Sequence, residues 1–252
     1  MITKNKNELV LMADVDETIC ESCQIISDEM AEMVDKLISQ GTTLVFISGT
    51  DISNLKEMLQ KIRGKYYILG TQGTTAILKE KDKETVLYDK QLTIKEKEEI
   101  TLAFDNLISN YNIIPVTSRE DQLQDRGSQI TLSAIGRHAP RRLKSVYDRD
   151  RVIRTKWKEF METVLDMEQY DICIGGTTSI DVTKKGWDKG KGIELFCNTN
   201  NIDTSNVIYF GDKLMPGGND YPATRVINNC VMVTGPEDTL LRLKQVFIQN
   251  IY

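Results

Sequence analysis

The stretch Leu9-Val10-Leu11-Met12-Ala13-Asp14-Val15-Asp16-Glu17-Thr18 decides the fold. An unbroken apolar run leads into three acids and a threonine. The run, residues 8–13, reads as a strand. Residues 27–40 open on a serine cap and carry Met30, Met33, Val34, Leu37 and Ile38 at helical spacing. Residues 42–47 are β-branched and apolar, hence a second strand. Residues 51–62 read as a helix capped by Asp51, and 66–69 as a third strand before the turn Gly70-Thr71-Gln72-Gly73. Strands alternating with helices predict parallel βαβ units with right-handed crossovers.

That rhythm breaks after Thr75. A charged turn at 79–84 precedes a helix at 95–111. Strands are expected at 113–116, 129–134, 170–174 and 179–182, with a second helix at 149–165. This α+β pattern reads as an inserted lobe. The βα rhythm returns after Gly186. A helix is expected at 189–196, a strand at 207–210 and a short helix start at 219–224. Short strands follow at 226–228 and 231–233, and a closing helix at 236–248.

Composition narrows the function classes. The chain has 252 residues and a net charge of −5, with a pI near 5.2. An acidic protein is poorly suited to nucleic acid or an anionic membrane. The first eight residues are polar and do not read as a signal peptide. Five cysteines, an odd number, predict reduced thiols in a cytoplasm. Cys20 and Cys23 form a C-x-x-C pair, but the only histidine is His138 and the other cysteines come singly, so they read as ordinary thiols.

Ligands of open parallel sheets bind beyond the carboxyl ends of the strands. Those ends carry Asp14 and Asp16, then Ser48, Gly49 and Thr50, then Gly211 and Asp212 with Gly217-Gly218-Asn219-Asp220. Lys189 opens the helix before the late strand. Several carboxylates together need a cation, and an oxygen-only donor set favours Mg²⁺. Ser48 and Lys189 are donors suited to an anion. Together they predict phosphoryl transfer to an aspartate nucleophile.

On these residues the chain resembles the haloacid dehalogenase-like superfamily. DVDET (14–18) looks like its first motif, Ser48 in FISGT its second, Lys189 in GWDKG its third, and GDKLMPGGND (211–220) its fourth. The segments GDKLMPGGNDYP, KKGWDK, SAIGR and Ser179-Ile180-Asp181-Val182 are similar to the phosphomannomutases of that superfamily and to their bacterial and archaeal phosphatase-like relatives. The resemblance implies an α/β protein: a Rossmann-like parallel core (1–78 and 187–252) with an α+β cap inserted at 79–186. It implies Asp14 as nucleophile and Asp16 as general acid/base with its carbonyl on Mg²⁺. Asp14, Asp212 and Asp220 are implied metal-site carboxylates, and Ser48 and Lys189 hold the phosphate. Arg119, Arg126 and Arg137 are implied to grip a distal phosphate, with Ser179, Asp181, Gly49 and Asn219 also at the substrate. Two departures stand out: Glu17 replaces the mutases' usual glycine, and Cys23 replaces an arginine. They favour water as acceptor, hence a phosphatase acting on a small phosphorylated metabolite. The alternative is a phosphomannomutase, and a minor one a non-catalytic sugar-phosphate sensor. A homodimer through the cap is a further expectation.

Overall fold

In the computed structural model, residues 9–249 are described, with side chains to residue 245. The expected N-terminal stretch 1–8, including the first residue of the expected strand, lies outside them, as do residues 250–252.

The chain begins β1 (Val10–Asp14), α1 (Asp28–Ser39), β2 (Thr43–Ile47), α2 (Ile52–Met58) and β3 (Lys65–Gly70), then the hairpin β4 (Thr75–Glu80) and β5 (Lys83–Asp89). A second unit, Lys90–Trp187, holds α3 (Ile94–Tyr111), the single turn α4 (Arg119–Gln122), β6 (Leu123–Asp125) and β7 (Gln129–Ser133). It continues with α5 (Arg141–Tyr147), α6 (Val152–Val164), β8 (Tyr170–Gly175) and β9 (Ser179–Lys184). The chain then returns to the first unit with α7 (Lys189–Asn200), β10 (Val207–Gly211), β11 (Asn229–Met232) and α8 (Pro236–Gln249).

The first unit is an α/β layer structure. Its described residues form a seven-stranded sheet in the order β11-β10-β1-β2-β3-β4-β5. The pairings from β11 to β3 are parallel, and β4 and β5 add antiparallel. β1 is buried along its whole length, which is why its sequence runs apolar without alternation. Odd and even positions feed different cores. Leu11 and Ala13 join α1 and α2 side chains such as Met30, Val34, Leu37 and Leu55, while Val10 and Met12 join Ile193 and Phe196 of α7. The caps follow the sequence: Ser27 accepts from the Met30 amide and Asp51 from the Asn54 amide.

The second unit packs a four-stranded antiparallel sheet, β6-β7-β9-β8, against α3 and α6. Ile130, Leu132, Ile180 and Val182 face these helices. The alternate positions Gln129, Thr131, Ser133, Ser179 and Asp181 fall on the other face. Inside this unit Arg154 is 1% exposed. Its Nε meets Asp148 Oδ2 at 2.9 Å, and its Nη1 donates to the carbonyls of Gly175 and Gly176 at 2.6 and 3.0 Å. This buried pair staples the β8–β9 turn to α6.

Several local expectations are corrected. The charged segment 79–84 is not merely a turn: Lys79 and Glu80 end β4, and Lys83 and Glu84 begin β5. Ladder pairing with β3 keeps that hairpin in the large sheet, so the second unit starts at Lys90 rather than at residue 79. Residues 113–116 form no strand; Pro115 lacks a donor, and Val116 makes one amide bond, to Ile135 O. β6 takes the sheet position instead. Residues 226–228 are a loop after a 3-10 turn at Tyr221–Arg225, and the helix after Asp51 ends at Met58. The helix α5 had no expected counterpart. Among the described residues no helix is long and apolar enough to cross a membrane.

At the exit of β1 the chain turns through Glu17, whose φ is 59°, a conformation that strains any residue with a Cβ.

Two predictions follow from this packing. Asp148→Ala should cost about 3–5 kcal/mol in denaturant unfolding by leaving Arg154 buried without its partner, and Asp148→Leu with Arg154→Met should recover most of it; equal losses in both would refute the account. Glu17→Gly should stabilise the protein by roughly 0.5–1 kcal/mol, read as a raised thermal midpoint.

Candidate active site

The core site grows from three strand ends and one helix start. Asp14 is the last residue of β1, 3% exposed. Lys189 is the first residue of α7 and fully buried. Its ammonium lies 2.5 Å from Asp14 Oδ1 and 2.6 Å from Asp220 Oδ1. The residue before it, Asp188, caps α7 by accepting from the Lys191 amide at 3.0 Å and pairs with the Arg225 guanidinium at 2.5 Å. Lys189 is thus fixed from both directions along the chain.

Asp220 is fully engaged. Its Oδ1 also accepts from Tyr209 Oη at 2.6 Å, and its Oδ2 from the Lys213 amide at 3.1 Å. The Gly211 backbone approaches it so closely that a Cβ there would stand 2.8 Å from Asp220 Cγ. Asp220 therefore anchors Lys189 with every oxygen committed. Asp212 differs. Its Oδ2 meets the Lys213 ammonium, but its Oδ1 is buried and accepts no hydrogen bond. Ligand atoms of Asp14, Asp212 and Asp220 lie within 4.8 Å of one another. An all-carboxylate set with one orphaned oxygen fits a hard divalent cation.

Burial pushes the Asp14 carboxyl up to about 7, against the pull of the Lys189 ammonium and with the push of Asp220. Lys189 is held above its ordinary range: burial works against its charge, but Asp14 and Asp220 outweigh it.

Asp16 stands apart from the carboxylate cluster. Its Oδ2 accepts from Ser48 Oγ at 3.3 Å and its Oδ1 from the Cys23 amide at 2.9 Å. As an expected metal residue, its side chain is not among the clustered carboxylates. Ser48 Oγ also accepts from the Thr50 amide at 3.0 Å, which closes the turn around Gly49. Asn219 is exposed and its side chain makes no hydrogen bond to the described residues.

In the second unit, Thr131 Oγ1 donates to Asp181 Oδ1 at 2.8 Å, and Arg126 lies close enough to attract that carboxylate. Arg126 Nη2 donates to Gln124 Oε1 at 3.0 Å. Arg137 is half-buried, and its guanidinium makes no hydrogen bond or ion pair with the described residues. Its loop is set by Asp121, which accepts from Thr117 Oγ1 and the His138 amide at 2.6 and 3.0 Å and meets His138 Nδ1 at 2.5 Å. Arg119 pairs with Asp105 of α3 and donates to Gln122 Oε1 at 3.1 Å.

Four participants were not anticipated. Tyr209 supports Asp220, Lys213 meets Asp212, Arg154 staples the turn before Ser179, and the Lys144 ammonium donates to the Arg137 carbonyl. Lys213 could have been suspected from its place inside the fourth motif. Tyr209 could have been suspected as a polar-tipped side chain in a buried strand.

The chain is similar along most of its length to proteins of one family. The family model for eukaryotic phosphomannomutase matches residues 30–249. The phosphomannomutase of Saccharomyces cerevisiae is 27% identical over 252 residues, covering 97% of this chain and 96% of that protein. The phosphomannomutase of Encephalitozoon cuniculi is 28% identical, covering 94% of this chain and 92% of its own. Among solved structures, an N-terminally truncated IMP-nucleotidase of Plasmodium falciparum superposes with a TM-score of 0.66 at 16% identity, over 96% of this chain and 71% of that one. A phosphatase of the haloalkanoate (HAD) superfamily from Bacteroides thetaiotaomicron gives 0.60 at 13%, over 97% of each. The strand-end carboxylates, the buried lysine and the match over most of the length converge, and the chain belongs to the eukaryotic phosphomannomutase family, within the haloacid dehalogenase-like superfamily.

Proposed function

We propose that this protein transfers a phosphoryl group from a phosphorylated sugar to Asp14 and on to a hydroxyl of the sugar, as a phosphomannomutase. The observation that carries the chemistry is the Lys189 ammonium between Asp14 and Asp220. It leaves Asp14 buried, oriented and electrostatically balanced. Asp14 Oδ attacks phosphorus in line, the ester P–O bond breaks, and Asp16 gives a proton to the leaving oxygen. Asp16 then takes the proton of the acceptor hydroxyl as that oxygen attacks the aspartyl phosphate. Ser48 and Lys189 hold the peripheral oxygens throughout.

Asp14, Asp212 and the backbone carbonyl of Asp16 are suited to hold Mg²⁺, with Asp220 behind them. Bound there, Mg²⁺ supplies charge neutralisation for the phosphoryl group in flight. In the second unit Arg126, Arg137, Ser179 and Asp181 are the proposed contacts to the rest of the substrate. A guanidinium fork suits a second phosphate, and a carboxylate suits sugar hydroxyls. Arg119, which pairs with Asp105, is a further proposed contact to a phosphate.

The second reading is hydrolysis. It is favoured by Cys23, an exposed thiol where the mutases have an arginine. Glu17 no longer weighs the same way, because its backbone takes the left-handed conformation that a glycine would take. Both acceptors suit the family, and the match to phosphomannomutases favours the sugar by a narrow margin. The exposed apolar side chains Ile94, Leu102, Ile114 and Val116 of the second unit support a homodimer through it. An odd number of cysteines, five, supports a reducing cytoplasm as its compartment.

Phosphorus NMR of mannose 1-phosphate with Mg²⁺ and a catalytic amount of hexose bisphosphate separates the readings. Mannose 6-phosphate is the expected product. Free phosphate alone would turn the assignment to a phosphatase, and Asp14→Asn should lower either rate by roughly 10⁴-fold or more. Mg²⁺ affinity, measured by calorimetry, should weaken between about pH 8 and about pH 6, because a carboxyl raised toward 7 must lose its proton to bind the cation. Affinity unchanged across that interval would contradict the site described.

A further inference from the structure

Three consecutive residues leave β3 in the left-handed region: Thr71, Gln72 and Gly73, with φ of 48°, 59° and 82°. Glycine takes this freely, but a β-branched threonine followed by glutamine is strained. Such a pair persists only where the surroundings hold it. Here the Thr71 amide donates to Thr50 O and the Gln72 amide to Ser48 O, each at 2.9 Å. On the other side the turn is pressed onto α7. A Cβ on Gly192 would stand 2.1 Å from Gln72 O and 2.8 Å from Gly73 Cα. The strained turn is therefore wedged between the Ser48 turn and the helix that begins at Lys189.

The wedge aims a side chain. Gln72 Nε2 stands 3.0 Å from the point where a Cβ on Gly49 would begin. The Gly49 amide donates to none of the described residues, and Ser48 Oγ faces Asp16. A hydroxyl, a backbone amide and a carboxamide thus gather at the Ser48–Gly49 turn, whose hydroxyl meets Asp16. None of the four sequence motifs contains Gln72.

We propose that Gln72 is a phosphoryl-binding residue: its carboxamide donates a hydrogen bond to a peripheral oxygen of the phosphoryl group in transit. The inference rests on the phosphoryl-transfer reading given above. A donor fixed before the substrate arrives needs no reorganisation during the reaction, and the strained turn supplies that fixity. Being neutral, it adds a donor without drawing the carboxylates away from Lys189.

Two variants test this. Gln72→Gly keeps the left-handed backbone and removes the carboxamide. Gln72→Glu keeps the length and turns the donor into a negative charge. Thermal unfolding, kcat and KM on sugar phosphates, and calorimetric binding of inorganic phosphate are the readouts. Gln72→Gly should unfold at or above the wild-type temperature while kcat falls by about ten- to a hundredfold, and Gln72→Glu should fall further. Phosphate binding should weaken in both. Rates within about twofold of wild type in both variants would overturn the proposal, given the size of effect a lost transition-state donor has. So would a loss in Gln72→Gly matched by a lowered unfolding temperature beside a fully active Gln72→Glu, since the turn would then be structural. Should the wild type turn over no substrate, the phosphoryl-transfer reading fails by itself. Phosphate binding then decides Gln72: weaker in both variants supports it, unchanged overturns it.

Discussion

A lysine ammonium with no solvent exposure lies between two carboxylates, and most of the first unit can be understood as the means of keeping it there. Taking charges out of water costs several kcal/mol per ion, and the cost is offset only where partners are close and correctly oriented. Asp14 and Lys189 are 175 residues apart in sequence. A parallel sheet brings such distant positions together at one edge because all its carboxyl ends point the same way. β1 delivers Asp14, α7 delivers Lys189, and the tight approach of Gly211 lets Asp220 close the triangle with Tyr209 behind it. The result is a buried acid fixed in place by an ammonium, beside a second acid, Asp212, with an oxygen to spare.

Much of this was legible from residue order. Unbroken apolar runs marked β1, β2 and β10, cap residues marked α1 and α2, and strand-end chemistry pointed to Asp14, Ser48, Lys189, Asp212 and Asp220. The remainder was hidden for identifiable reasons. β5 is exposed over its first four residues, so charges mask its period. Residues 113–116 have β-branched side chains but spend one ladder position on Pro115. The partner of Arg119 is Asp105, set by how α3 lies across its sheet, which no local pattern reveals. Arg154 looks like one more basic residue in a charged helix, yet it is buried against Asp148. Gln72 lacks the asparagine or aspartate that usually flags a left-handed turn.

The two units solve different electrostatic problems. The first concentrates acids and balances them with one buried ammonium, Lys189, and one exposed one, Lys213. The second spreads single polar groups over one sheet face and spends its apolar residues on the other. It also uses its one histidine as a clamp: His138 and Thr117 both meet Asp121, which fixes the loop bearing Arg137. A chain with mixed charge can thus build a buried carboxylate–ammonium cluster in one unit and a polar sheet face in the other from the same composition.

The backbone re-enters the first unit at Asp188, one residue before the buried ammonium. Asp188 grips the Lys191 amide with one oxygen and the Arg225 guanidinium with the other. It is therefore a mooring point. Two attachments at one residue fix the first turn of the helix that opens on Lys189, so the burial of that ammonium is secured by its neighbour in sequence.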